Sequence, residues 1–293
     1  MLAERVSRMS KAGVLIISHG SRSAEWIRLI DRAVAAVAVP PAWDGPVPVV
    51  SSFLELVEGR LIQDGIDALE AQGVTDIVVV PLFVSYGSTH VDEIRYALGD
   101  LPEPSFDSDL EPFRLQGAVH MCPPLDDDPV VADMVYDHLC GVTGSPQRQN
   151  VVLIGHGSEL PQFYARWKSG MGRVAQRLQR LGGYAGVRTA LLLPDEARNV
   201  VALWQEEEPD RDIVIAPLFL SSGYFTNTVI PQRLAGLRYL YNGKALLPHP
   251  SVSRWIERQA AEKLRNLEKM EQEPYRRETM PDGGVGRWRN APD

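Results

Sequence analysis

Three side chains able to bind a metal ion or accept a proton follow buried strands in the sequence. His19 comes directly after an apolar run, Glu55 ends the second predicted strand, and His90 lies just past the third. Because ligands of open α/β sheets bind beyond the carboxyl ends of the strands, we expect the three side chains to converge. Imidazoles with a carboxylate suit Co²⁺, Fe²⁺, Ni²⁺ or Zn²⁺, and the same groups suit general base catalysis. Taken singly, His19 and Glu55 are more readily explained as structural side chains, and His90 could simply open a helix.

The sequence contains an internal repeat. Val14–Ser21 recurs as Val151–Ser158, and Asp76–Val84 recurs as Asp212–Leu220. Both matches lie about 137 residues apart, which is a domain-sized period and not the short period of a solenoid. The chain is therefore interpreted as a tandem duplication.

The repeat predicts two domains and a tail. The seam falls near 141–150, where Gly, Ser, Pro, Gln and Arg cluster. We expect a first domain over 1–144 that carries the site and a degenerate second domain over 145–268. The segment 269–293 is polar and rich in Pro and Gly, so we expect a disordered tail.

Within each copy, continuously apolar runs alternate with helical patterns. Such runs are typical of parallel strands buried on both faces, and alternation with helices indicates βαβ units. The predicted fold class is α/β, with two tandem domains, each a doubly wound, mainly parallel four-stranded sheet flanked by helices. Strands are predicted over 14–18, 47–56, 76–84, 113–121, 151–155, 187–193, 212–220 and 245–248. Helices are predicted over 24–38, 59–72, 91–98, 129–140, 161–182, 196–206, 224–240 and 251–266.

Composition excludes several classes of protein. The 293 residues carry a formal charge of −8, which is a poor match to a nucleic-acid backbone. Cys122 and Cys140 form no C-x-x-C motif, no apolar run is long enough to span a membrane, and the first eleven residues lack a secretion signal. A P-loop and a G-x-S-x-G motif are also absent. We therefore expect a cytoplasmic protein with neither nucleic acid nor membrane as a partner.

Three motifs in this order match a known family. Ile17–Arg22 reads Ile-Ser-His-Gly-Ser-Arg, Phe53–Leu56 reads Phe-Leu-Glu-Leu, and Val80–His90 runs from Val-Pro-Leu-Phe to His, followed by Glu93-Ile94. Together they closely resemble the CbiX/SirB-like class II chelatases, which insert a divalent metal into sirohydrochlorin. The resemblance covers the first copy throughout and the second copy at lower fidelity.

The resemblance implies an activity and a set of roles. His19 and His90 would be the metal-binding, catalytic pair, and Glu55 would assist as a proton acceptor. The metal would be a substrate, Co²⁺ or Fe²⁺ with Ni²⁺ as a further candidate, and no organic cofactor or ATP would be needed. Cobalt, the favoured metal, would mean cobalamin synthesis, and iron would mean siroheme.

The second substrate implied is a carboxylate-rich tetrapyrrole. Ser21, Arg22 and Ser88 would anchor it, with Arg95 as a further cation, because guanidinium groups form charge-assisted bonds with carboxylates. His120, at the end of the fourth predicted strand, is a further candidate for the site. The protein would act as a monomer or a homodimer.

The second copy keeps one of the three polar groups. His156 aligns with His19, whereas Leu193 and Thr226 occupy the positions of Glu55 and His90. One imidazole binds a divalent ion weakly, so we expect one metal site per chain, in the first copy. The second copy would instead form a wall against the macrocycle, with three candidate aromatic residues: Tyr164, Tyr224 and Phe225. Two other functions stay open, a metal or tetrapyrrole carrier without turnover and a metal-dependent lyase.

Overall fold

The computed structural model describes residues 10–43, 45–142 and 144–278, with side chains described as far as residue 270. We call 10–142 the first half and 144–278 the second half. The first half contains β1 (Ala12–Ser18), α1 (Ala24–Ala35), β2 (Val49–Phe53), α2 (Ile62–Glu70), β3 (Asp76–Pro81), α3 (Thr89–Ala97), β4 (Ala118–Met121) and α4 (Pro129–Leu139). The second half contains β5 (Gln149–Gly157), α5 (Pro161–Gly182), β6 (Gly186–Leu193), α6 (Ala197–Glu207), β7 (Asp212–Pro217), α7 (Ile230–Arg233), β8 (Leu240–Tyr241) and α8 (Pro250–Glu278).

Each half forms one four-stranded sheet in which all neighbouring strands are parallel. The strand orders are β2-β1-β3-β4 and β6-β5-β7-β8, so the second sheet repeats the first. The central strands β1 and β5 are buried along almost their whole length, because helices cover both faces of each sheet. The predicted fold class is confirmed.

The region after β7 differs from its prediction. The helix predicted over 224–240 is a short π-helical turn, Phe225–Val229, followed by the four-residue helix α7. Pro231 has no backbone N–H to donate, and Gly236, with φ +83°, favours a turn. The fourth strand lies at Leu240–Tyr241, and residues 245–248 contribute a single bridge to Ser221 in place of the predicted strand.

The last helix of each half packs against the other half. Helix α8 contacts β3 and α1 of the first half, and α4 packs against α5 of the second half. The Ser253 hydroxyl donates to the carbonyl of Ala33 at 2.8 Å, and Asn242 Nδ2 donates to the carbonyl of His138 at 2.8 Å. One buried apolar cluster therefore contains residues of both halves. The halves are not separate folding cores joined by a linker.

Helix α8 is longer than expected. It continues past Lys269, where the sequence predicts a disordered tail, and ends at Glu278. Lys, Met, Glu and Gln have high helix propensity, so a polar composition alone does not end a helix that is already anchored. The predicted tail beyond residue 278 lies outside the described residues.

Because α8 packs against the first half, we expect it to contribute strongly to the stability of the fold. Leu264, which is 2% exposed, belongs to the cluster shared by the halves, whereas Leu203 on α6 is 52% exposed. Leu264→Ala should lower the free energy of unfolding by about 2–5 kcal/mol, because it leaves a cavity in a close-packed core. Leu203→Ala should change it by less than about 0.5 kcal/mol. Urea denaturation of both variants checks this, and equal small effects would contradict the shared core.

Candidate active site

The three predicted site residues lie at the carboxyl edge of the first sheet. His19 directly follows β1, Glu55 lies two residues beyond β2, and His90 is the second residue of α3, which follows β3. The rings of His19 and His90 meet edge to face with centroids 4.7 Å apart. The Nδ1 atom of His19 lies 3.6 Å from Oε1 of Glu55. The three side chains lie close together as expected, but of the three only His19 and His90 line the cavity at this edge.

Glycine brings the β1 and β2 loops into contact. Gly20 has φ +102°, and a Cβ atom there would lie 2.0 Å from the carbonyl oxygen of Glu55. No other residue fits that space, and the left-handed backbone also favours glycine. The amide of Glu55 donates to the carbonyl of His19 at 3.1 Å. The backbone thereby fixes the Glu55 loop beside His19.

Hydrogen bonds assign the same tautomer to both histidines. Nδ1 of His19 lies 3.1 Å from the carbonyl oxygen of Gly20, and Nδ1 of His90 lies 2.7 Å from Oε2 of Glu93. A carbonyl oxygen and a carboxylate only accept, so Nδ1 carries the hydrogen in each ring. The lone pair of each neutral ring is then at Nε2. Both imidazoles can use that atom to bind a metal ion.

Glu93 is a site residue to which the sequence assigned no role. Its side chain is 16% exposed and accepts hydrogen bonds from His90 and from the hydroxyl of Ser108, the latter at 3.0 Å. The hydrogen bond from His90 holds the pKa of Glu93 below its usual value against the opposing effect of burial. A carboxylate on the second nitrogen of a metal-binding histidine orients the ring. The i, i+3 spacing of His90 and Glu93, at the start of the helix predicted over 91–98, was the available signal.

The site opens into a cavity of about 910 Å³ between the halves. His19, Ser21, Ser88 and His90 line it from the first half. Hydroxyl, glycine and aromatic residues supply much of the rest, and none of the lining residues is Lys or Arg. The volume lies within the range of about 300–1,000 Å³ found for small-molecule pockets. The cavity can therefore enclose a sizeable organic ligand.

The predicted cationic anchors are not part of the cavity lining. Arg22 is exposed and does not line the cavity. Nε of Arg95 donates to Asp100 at 2.7 Å, so this guanidinium is already paired. Sequence position alone does not determine where a long side chain points. Ser21 and Ser88, each two residues from a histidine, do line the cavity, as does Thr89.

The second half forms the facing wall, as its aligned positions indicated. His156, Leu193 and Thr226 all line the cavity, together with Tyr224 and Phe225. These two aromatic side chains are 68% and 37% exposed, which leaves much of their surface free.

Two other candidates lie elsewhere. The hydroxyl of Tyr164 donates to Glu196 at 2.6 Å, and Tyr164 is not a lining residue. Nε2 of His120 lies 3.0 Å from Asp76, which begins β3. That carboxylate is at the amino edge of the sheet, opposite the site. His120 therefore does not belong to the site.

Metal-binding potential in the described chain rests on the histidine pair. Within residues 10–43, 45–142 and 144–270, no group of three or more His, Cys, Asp or Glu side chains is arranged to hold a metal ion. His19 and His90 offer two nitrogen ligands with their side chains 41% and 36% exposed.

Among the described helices, none has the length and apolar character required to cross a membrane.

The depressed pKa of Glu93 predicts a pH-dependent stability. A carboxyl with a lowered folded-state pKa stabilises the fold above its unfolded-state value of 4.5, and the contribution is lost as pH falls through the folded pKa. Glu93→Gln should therefore lower the free energy of unfolding near neutral pH, and the difference from wild type should shrink below pH 4.5. Urea unfolding at two pH values checks this, with the exposed Glu58→Gln as the matched control. A difference of equal size at both pH values would contradict it.

Comparison with known proteins gives matches along most of the chain. The CbiX family model matches residues 13–141 and 150–263. A relative from Halobacterium salinarum, named "Probable sirohydrochlorin cobaltochelatase", is 25% identical over 171 residues, covering 54% of this chain and 56% of the relative. The alignment thus spans little more than half the length of that protein.

Two solved structures share the fold. SirB from Bacillus subtilis with Fe³⁺ has a TM-score of 0.66 at 24% identity, over 88% of this chain and 98% of that one. SirB from Bacillus subtilis subspecies spizizenii in complex with cobalt has a TM-score of 0.61 at 22% identity, over 88% and 97%. At this identity the likeness concerns the fold. The family model, which matches both halves, shows that the chain belongs to the CbiX family.

Proposed function

We propose that this protein is a sirohydrochlorin chelatase, which inserts a divalent metal ion into a carboxylate-rich tetrapyrrole. The observation that carries the proposal is the pair of adjacent imidazoles, His19 and His90, at the wall of a cavity of about 910 Å³. The name of the Halobacterium salinarum relative and the metals in the two SirB structures support the same chemistry.

The metal ion is a substrate that His19 and His90 hold before transfer. Imidazole nitrogen suits Co²⁺, Fe²⁺ and Ni²⁺, and bonds from such nitrogens to first-row metals are about 2 Å long. The ring centroids are 4.7 Å apart, so one ion can contact both rings. Two protein ligands leave the remaining coordination positions open to water and to the incoming pyrrole nitrogens. An ion held in this way can be passed on.

Glu55 accepts a proton during insertion. Two pyrrole N–H bonds break as the metal–nitrogen bonds form, so two protons leave the macrocycle for each ion. The Glu55 carboxylate lies 3.6 Å from His19 and is 51% exposed. A base beside the metal-binding ring can take a proton and release it to solvent. No step in this scheme uses a nucleotide, so we propose a reaction without ATP or an organic cofactor.

The tetrapyrrole occupies the cavity between the halves. The Ser21 and Ser88 hydroxyls line the cavity and can donate to substrate carboxylates. Arg22, which is exposed and next to Ser21 in sequence, is the cation we propose for a carboxylate that projects out of the cavity. Tyr224 and Phe225 offer free aromatic surface to the flat macrocycle. Contacts from both halves would hold it in one orientation.

Cobalt is the metal we favour, because the relative that matches in sequence is named a cobaltochelatase. Cobalt insertion would serve cobalamin synthesis, and iron insertion would serve siroheme synthesis. We propose that the protein acts in the cytoplasm, where thiols stay reduced, since both of its cysteines are free. We propose a monomer or a homodimer as its working form.

Turnover distinguishes a chelatase from a carrier or a lyase. Incubating the protein with excess sirohydrochlorin and Co²⁺ should change the absorbance spectrum to that of the metallated product over many equivalents. A carrier would stop at one equivalent, and a lyase would leave the macrocycle unmetallated. Parallel reactions with Fe²⁺ and Ni²⁺ rank the metals, and faster turnover with Fe²⁺ would contradict the cobalt preference.

His19→Ala and His90→Ala should each abolish metallation while the fold is kept, because both side chains are partly exposed at the sheet edge. His120→Ala, which removes a histidine outside the cavity, is the matched control and should retain turnover. Absorbance-monitored assays, with circular dichroism for folding, test this. Near-wild-type turnover by either site variant would show that its histidine is structural.

The chain should bind one divalent ion tightly at the His19–His90 pair. The second half supplies His156 with Leu193 and Thr226, neither of which matches the ligands of the first half. Calorimetric titration with Co²⁺ should therefore give about one site per chain, and His19→Ala should remove it. Two sites of similar affinity would contradict the asymmetric arrangement.

A further inference from the structure

The loop that carries His156 repeats the geometry of the His19 loop. Nδ1 of His156 lies 3.1 Å from the carbonyl oxygen of Gly157, as Nδ1 of His19 does from that of Gly20. Gly157 has φ +84°, and a Cβ atom there would lie 2.1 Å from the carbonyl oxygen of Leu193. The carbonyl acceptor assigns the hydrogen to Nδ1 and the lone pair to Nε2. The second half thus has the same glycine and the same Nδ1–carbonyl hydrogen bond that set the tautomer of His19.

The surroundings of His156 do not favour a metal ion. Leu193 and Thr226 stand where the first half has Glu55 and His90, and the Thr226 hydroxyl is occupied by the Gly223 carbonyl at 3.1 Å. A single imidazole holds a divalent ion weakly, because water competes for every other position. A role other than metal binding is therefore to be considered for His156.

An aromatic wall fixes the His156 ring. Phe225 meets the ring edge to face with centroids 4.8 Å apart, and Phe219 stacks on Phe225 with centroids 5.7 Å apart and an interplanar angle of 17°. His156, Phe219 and Phe225 all line the cavity that contains His19 and His90. The ring is held in an apolar wall that faces the substrate space.

The electrostatic setting keeps His156 neutral. Burial lowers the pKa of His156, and the nearby His90 and His19 act in the same direction when charged, while the hydrogen bond to the Gly157 carbonyl opposes them. A ring whose pKa lies below 6.5 is mostly unprotonated at neutral pH. Its Nε2 lone pair is then free to accept a proton.

Insertion of one metal ion releases two protons from the macrocycle. During transfer, the Nε2 lone pairs of His19 and His90 are occupied by the metal, and the Glu55 carboxylate lies beside His19. Because the cavity is lined from both halves, a macrocycle bound in it would have the second-half wall beside it as well as the histidine pair. An acceptor on that wall can remove a proton without competing for the metal.

We propose that His156 Nε2 accepts one of the two pyrrole protons during metallation, so that the degenerate half supplies a catalytic base. This inference rests on the proposed chelatase function. One pyrrole N–H bond breaks, its electron pair becomes a metal–nitrogen bond, and the proton forms an N–H bond at Nε2. The resulting imidazolium donates through Nδ1 to the Gly157 carbonyl and returns the proton to water when the product leaves.

Substitution of His156 separates a base from a metal ligand. In His156→Asn the amide nitrogen can still donate to the Gly157 carbonyl, so the loop is kept while the base is lost. We expect kcat for Co²⁺ insertion to fall by about 10²-fold or more, which is the usual contribution of a general base. The Kd for Co²⁺, measured by calorimetry, should stay at the wild-type value. His156→Ala provides a second variant, and His120→Asn is the matched control.

Four outcomes decide the inference. Loss of kcat with an unchanged Co²⁺ Kd supports it. A wild-type kcat in a folded His156 variant overturns it, as does a raised KM for sirohydrochlorin with kcat unchanged, which would indicate a binding residue. Loss of Co²⁺ affinity as deep as that of His19→Ala also overturns it, because His156 would then be a ligand. Failure of the wild-type chain to metallate would instead refute the proposed function itself.

Discussion

The contact between Gly20 and the carbonyl of Glu55 is the constraint on which the site depends. A Cβ atom at Gly20 would lie 2.0 Å from that oxygen, so the loops after β1 and β2 can meet only through glycine. That approach sets His19 beside Glu55 and leaves the Gly20 carbonyl to accept from Nδ1. Gly157 repeats the constraint in the second half. Local backbone geometry therefore determines which imidazole nitrogen each strand-end histidine presents.

The last helix of each half packs against the other half, and this packing holds the two walls of the cavity together. Helix α8 packs on the first sheet and α4 packs on α5, so the apolar core is common to both halves. An ion pair adds to this connection, because Asp92 on α3 is 2% exposed and accepts from Arg166 of α5 at 2.9 Å. Since α3 also carries His90, the same packing that stabilises the fold holds one histidine in register with the facing wall. The second half therefore keeps a structural role, although Leu193 and Thr226 stand at the positions of Glu55 and His90.

The sequence could predict the sheets and the convergence of His19, Glu55 and His90. Buried parallel strands have a strong apolar signature, and their carboxyl ends meet at one edge whatever the loops do. It could not predict that Arg95 pairs with Asp100, because the partner of a long side chain depends on which groups the folded chain places within its reach. The packing of α4 and α8 against the opposite halves, and the position of the short strand β8, could not be predicted for a related reason. Both depend on contacts between residues distant in the chain, which local periodicity does not encode.

We propose that one metal ion binds both Nε2 of His19 and Nε2 of His90, whose ring centroids lie 4.7 Å apart. Anomalous diffraction at the cobalt absorption edge, from crystals of the protein soaked in Co²⁺, tests it most directly. We expect one strong peak within bonding distance, about 2 Å, of both Nε2 atoms. A strong peak elsewhere in the molecule, with none at this histidine pair, would contradict it.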